Sequence, residues 1–117
     1  MSLDIQTRTL PPDITVVSFI GKLNLNTEGG RVEPLVKGLL KKDQKKLIFD
    51  LAGLDYIDSA GIGLIAYSAA AAKNAGGALR VARAKDRVRQ VFLAMRLSLI
   101  VPADATIEEA VTALGAP

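Results

Sequence analysis

The chain has 117 residues, half of them apolar and 23% charged, with a formal net charge of +3 and neither histidine nor cysteine. A chain of that length can bury roughly two-thirds of its unfolded surface in one core, so residues 1–117 are expected to form a single domain. The missing imidazoles and thiols exclude Ser–His–Asp and Cys–His nucleophilic catalysis, thiolate or imidazole zinc sites and histidine proton transfer near neutral pH. Carboxylate, lysine or tyrosine chemistry stays open, and the sequence calls for no cofactor or metal.

The apolar runs are far shorter than the ~20 residues of a membrane-spanning helix, so no membrane insertion is expected. Met1-Ser2-Leu3-Asp4 lacks the basic region and long apolar stretch of a secretory signal, which makes a cytoplasmic location the expectation.

Leu3, Ile5 and Thr7 alternate with Asp4, Gln6 and Arg8, and the β-branched run Ile14–Ile20 follows the Pro11-Pro12-Asp13 turn. The two segments predict an antiparallel hairpin ending at Gly21. After a polar connection from Lys22 to Gly30, Val32, Leu35, Val36, Leu39 and Leu40 fall on one helical face. Pro34 requires that this helix either start near Gly30 or bend. Leu47-Ile48-Phe49-Asp50-Leu51 reads as a central covered strand, with Leu54–Ser59 leading out of it.

An Ala-rich helix is expected from Ala60 to about Asn74, with Ile62, Ile65, Ala66, Ala69 and Ala72 on one stripe and Gly76-Gly77 at its C-cap. Leu79–Val81 predicts a third inner strand. Val88, Val91, Phe92 and Met95 then predict a helix capped by Asp86. Leu99-Ile100-Val101 predicts a last short strand before Pro102. Thr106-Ile107-Glu108-Glu109 has capping-box spacing, opening a terminal helix that ends at Gly115. The order β-β-α-β-α-β-α-β-α implies an α/β fold, one mixed sheet of four to five strands with four helices packed on it.

Residues 80–96 hold Arg80, Arg83, Lys85, Arg87, Arg89 and Arg96 against Asp86 alone. The apolar stripe beneath them makes this the solvated face of a helix, with an acidic partner surface as the alternative. A nucleic-acid partner is not expected, because Phe92, the one aromatic among these charges, is assigned to the core.

The segment from Asp50 to Leu64 carries the candidate chemistry. Asp58 or Ser59 can cap the Ala-rich helix, a role any strand–helix junction favours. Gly61-Ile62-Gly63 lacks the glycine and lysine spacing of a dinucleotide or P-loop site. Ser59 is no hydrolase nucleophile, since Ile57 stands where the nucleophile elbow needs glycine and no histidine exists to activate it. Tyr56 and Tyr67 are read as packing or interface residues.

Tyr56-Ile57-Asp58-Ser59-Ala60-Gly61-Ile62-Gly63-Leu64 resembles the Asp-Ser-x-Gly-[Leu/Ile]-Gly motif of the STAS family, which includes the bacterial anti-sigma-factor antagonists. Gly21-Lys22-Leu23-Asn24 is similar to the Gly-x-Leu-Asp element after that family's second strand, and the element order fits throughout. The resemblance implies a single STAS domain acting as a non-enzymatic switch. Its implied partners are an anti-sigma factor that is also a serine kinase, which phosphorylates Ser59, and a metal-dependent serine phosphatase that reverses the step. Binding of the anti-sigma factor would release a sigma factor for transcription.

Asp58 matches the aspartate that positions the acceptor hydroxyl. Asn24 stands where many relatives have Asp, and Ala60 replaces a second hydroxyl found in several, leaving Ser59 the candidate acceptor. The implied partner surface comprises Asn24, Asp58, Ser59, Ala60, Gly61 and Ile62. The alternative implied by the same resemblance is an adaptor subunit of a lipid-transport or signalling assembly, without phosphorylation.

Overall fold

The computed structural model describes residues 3–24 and 28–115. Strands β1 (Leu3–Leu10) and β2 (Ile14–Leu23) form the hairpin, followed by α1 (Val32–Lys41), β3 (Lys46–Ile57), α2 (Ser59–Asn74), β4 (Ala78–Ala82), α3 (Asp86–Ala94), β5 (Ala103–Asp104) and α4 (Ile107–Gly115). The sheet order is β1-β2-β3-β4-β5. β1 runs antiparallel to β2, and the remaining neighbours are parallel. The five-stranded mixed sheet with four helices is the α/β fold that the sequence implies. No helix among the described residues is long and apolar enough to cross a membrane.

Period-two alternation along β3 divides the core. Leu47, Phe49 and Leu51 point into the larger cluster with Val36 of α1, Ile65 of α2 and Phe92 of α3. Ile48 points the other way, into a smaller cluster closed by Ala110 and Leu114 of α4. Covering on both faces explains the nearly continuous apolar run of this strand. Phe19 and Phe49 meet edge to face, with ring centroids 4.9 Å apart. Pro34 lies in the first turn of α1, where its missing N–H needs no intrahelical partner, so the helix starts here instead of bending.

Four expectations are corrected. β2 does not stop at Gly21; it continues to Leu23 and pairs with a β3 that runs on to Ile57, through register shifts at Ser18/Ile20 and Gly21/Lys22. Gly21 sits at φ 110, a conformation open to glycine, and this lets the strand pass the irregularity. Asp86 is the first residue of α3 and not its cap; Lys85 occupies the cap position without a side-chain cap bond. Met95 follows the helix and is 48% exposed.

The strand expected at Leu99–Val101 is instead a 3-10 turn, Leu97–Leu99, and the last strand lies beyond Pro102. Burial explains the difference. Leu97 and Val101 are buried at helical spacing, whereas Leu99 and Ile100 face outward. Pairing with β4 begins where the Pro102 carbonyl accepts the Val81 N–H at 3.0 Å.

Asp50 is the buried polar anchor of the sheet. Arg83 grips it bidentately, Nε to Oδ1 at 3.0 Å and Nη2 to Oδ2 at 2.6 Å, and the Ala52 N–H donates to Oδ1 at 3.2 Å. Burial alone would push this carboxyl up. The hydrogen bonds from Arg83 and Ala52, the Arg83 charge and the Ser18 hydroxyl outweigh it and hold the group below its ordinary value.

A carboxylate depressed in the folded state stabilises above its unfolded pKa, and that contribution disappears as pH falls through the folded value. Asp50→Asn is therefore expected to lower stability by about 1–3 kcal/mol at neutral pH. Urea unfolding of both proteins across the acid range checks this: the gap should begin to narrow below about pH 4 and go on shrinking as further acid protonates the folded-state carboxylate.

Candidate functional site

The junction between β3 and α2 is built by a cap and a close approach. Asp58 sits at the N-cap in extended conformation, and its Oδ1 accepts the Gly61 N–H at 3.0 Å. Its own carbonyl accepts the Ile62 N–H at 2.9 Å, the first bond of the helix. The N–H groups of Ser59 and Ala60 precede that bond and have no intrahelical acceptor.

The tail of β2 is held against the same turn. The Asp58 N–H points at the Leu23 carbonyl at 3.4 Å, and a Cβ added at Gly61 would collide with that carbonyl and lie 2.7 Å from Ile57 Cγ1. Only glycine at 61 permits this packing. The close approach brings the segment carrying Asn24 beside the cap, so two short motifs separated in sequence share one surface.

The six residues of the expected partner surface divide by exposure. Ser59 is exposed at the mouth of the helix, whereas Asn24, Asp58 and Ala60 are partly buried. Gly61 and Ile62 are buried, Ile62 at 6% exposure, so they seat the turn from beneath and do not display themselves.

Two neighbours, Lys22 and Gly63, were not singled out by the sequence as displayed groups, and Tyr56 was read there as a packing or interface residue. Tyr56 is 37% exposed and pairs in register with exposed Lys22. Gly63 is exposed, and a Cβ there would meet nothing within 4 Å. Glycine in a helix interior costs about 1 kcal/mol relative to alanine, and here the fold gives no steric reason for it. Exposed glycine with open space above it was the one signal available, and only coordinates reveal the space.

Chemically the junction suits an anion better than it suits a nucleophile. Asp58 Oδ1 is committed to the helix cap. No acidic residue follows the Asp58 cap in the first turn of α2, so Ser59, its first residue, sits at the positive end of a 16-residue helix. Among the described residues no group of three or more His, Cys, Asp or Glu side chains could hold a metal.

The same architecture occurs in known proteins. The family model for the STAS domain matches residues 5–110. The chain is similar to the crystal structure of an anti-sigma factor antagonist from Mycobacterium paratuberculosis, with TM-score 0.79 and 20% identity over 97% of this chain and 94% of that one. It is similar to the Bacillus cell fate determinant SpoIIAA in its phosphorylated form, with TM-score 0.68 and 21% identity over 94% and 98% of the two chains. A sulfate transporter family protein from Wolinella succinogenes also aligns, with TM-score 0.72 and 15% identity over 92% and 88%. Comparison with curated proteins gives no match. At these identities the likeness is one of fold.

The two glycines of the junction should respond oppositely to one methyl group. Gly61→Ala is expected to destabilise by at least about 2 kcal/mol, because backbone must move to admit it. Gly63→Ala should be neutral or stabilise by up to about 1 kcal/mol. Urea denaturation of the two variants measures both.

Proposed function

Because the chain belongs to the STAS domain family, we propose that it is an anti-sigma-factor antagonist: a protein-binding switch, without catalytic activity of its own, that is inactivated by phosphorylation at Ser59. Its proposed partner is an anti-sigma factor that doubles as a serine kinase, and its binding frees a sigma factor. A metal-dependent serine phosphatase restores the hydroxyl, and the exchange takes place in the cytoplasm. The observation that carries this reading is the exposed Ser59 at the N-terminus of α2, next to a capping aspartate and to first-turn N–H groups that have no intrahelical acceptor.

Physical chemistry makes this position an effective switch. Phosphoserine carries about −1.5 to −2 charges and three acceptor oxygens. The first-turn N–H groups and the helix dipole can receive that charge, so the scaffold tolerates it. A docked partner cannot. A unit pair of like charges near 4 Å costs about 4 kcal/mol at an effective dielectric of about 20, and about 2.8 kcal/mol already weakens binding a hundredfold.

Gly63 fits the same reading. It lies one turn beyond Ser59 on the exposed surface, and its bare backbone permits a partner to approach closely. Asn24, where many relatives carry Asp, lowers the negative charge at the rim and tunes which kinase fits.

The likeness to a sulfate transporter family protein supports a second reading, in which the domain is an adaptor in a transport or signalling assembly and Ser59 is never modified. Incubation with candidate serine kinases and ATP followed by mass spectrometry separates the two. In the switch reading Ser59 gains one phosphate and Ser59→Ala none.

Binding titrations with the cognate kinase test the consequence. Ser59→Ala is expected to retain affinity and Ser59→Asp to lose tenfold or more; equal affinities for the two variants contradict the switch. Gly63→Arg should weaken the same complex at least tenfold while leaving the melting temperature within a few degrees of the parent.

A further inference from the structure

A second surface is carried by α3 and the 3-10 turn after it, elements that contribute nothing to the Ser59 junction. Leu93, Met95, Leu99 and Ile100 are 50%, 48%, 79% and 67% exposed. The turn itself is anchored by Leu97 and Val101, at 2% and 0% exposure, so the core makes no demand for large apolar groups at 99 and 100. Clustered exposed hydrophobics of this kind mark contact surfaces.

The charge around them is as uneven as the hydrophobicity. Of the basic residues from 80 to 96, Arg80 is paired with Asp104 at 2.7 Å and Arg83 with Asp50 at 2.6 Å. Lys85, Arg87, Arg89 and Arg96 are exposed and in no ion pair among the described residues. Beside the apolar tip opens a basin of about 770 Å³ whose lining includes Arg83, Lys85, Arg89, Leu93, Ser98 and Asp104.

We propose that this face docks an acidic amphipathic segment of a protein partner, with apolar side chains against Leu93, Leu99 and Ile100 and carboxylates against Lys85 and Arg89, the two unpaired cations that line the basin. Charge complementarity selects this occupant. A second copy of the chain meeting this face by two-fold symmetry would set the same cations against one another. An anionic membrane is a plane and cannot enter the basin, whose lining includes Asp104, with Glu108 close enough to act on Arg83. A discrete segment fits the concavity.

The test uses the full chain and a synthetic amphipathic helical peptide with leucines on one face and glutamates on the other. A matched peptide with lysines in place of the glutamates, and vesicles of phosphatidylglycerol and phosphatidylcholine, are run beside it. The glutamate peptide is expected to shift the backbone amide NMR signals of residues 85–100 saturably and to bind at least tenfold tighter than the lysine peptide.

The double variant Leu99→Ser/Ile100→Ser should weaken it at least tenfold, and Lys85→Glu/Arg89→Glu about tenfold, with both melting temperatures unchanged because these side chains are exposed. The proposal is overturned by equal binding of the two peptides, by shifts elsewhere or none, by vesicle binding through residues 93–100 without peptide binding, or by self-association of the chain through this face.

Discussion

The contact between the tail of β2 and the first turn of α2 governs the rest of the site. The Leu23 carbonyl lies so near the helix that residue 61 can carry no side chain, and the Asp58 cap closes the same turn from the other side. Together they fix the direction in which Ser59 leaves the sheet. The register shifts and the positive φ of Gly21 follow from this constraint, because β2 must stay paired for the full length of β3 to deliver its carbonyl to the junction. The hairpin thus shapes the functional end of the molecule as well as one edge of its sheet.

The arrangement separates the stability of the scaffold from the chemistry of its surface. The buried groups at the junction, Gly61 and Ile62, do the packing, and the exposed Ser59 and Gly63 do none. A charge added at Ser59 meets first-turn N–H groups with no intrahelical acceptor and a favourable dipole, so the fold has no reason to give way. A partner resting on the same surface has no such compensation. The Asp50–Arg83 grip lies farther back along β3, where it secures the sheet independently of the surface state.

Much of this was legible in residue order. Period two marked β1 and period 3.6 marked α1 and α4, because each of these elements buries one face, whereas β2, covered on both faces, was marked by its β-branched run. The Asp58-Ser59 junction was legible too, since capping chemistry and the strand before it are local. What escaped were features decided by tertiary contact. Leu99-Ile100-Val101 has the composition of a strand, yet Leu97 and Val101 captured the interior at helical spacing and turned the middle of the run outward. β3 outgrew its apolar run because its partner strand continued beside it. Asp50 looked like an interruption in a hydrophobic strand until Arg83, 33 residues later, closed on it. The basic stretch read as one solvated face, whereas two of its arginines are spent on the sheet and Lys85, Arg87, Arg89 and Arg96 stay exposed outside any ion pair among the described residues.

The claim on which the molecule's proposed role depends is that one dianion at Ser59 leaves the fold intact and removes the partner. It is tested most directly by preparing the chain homogeneously phosphorylated at Ser59 and measuring, on that one sample, its thermal unfolding and its affinity for the kinase partner. The expected result is a melting temperature within a few degrees of the unmodified chain and an affinity at least a hundredfold lower. An unchanged affinity, or a loss of affinity accompanied by collapse of the folded state, would contradict it.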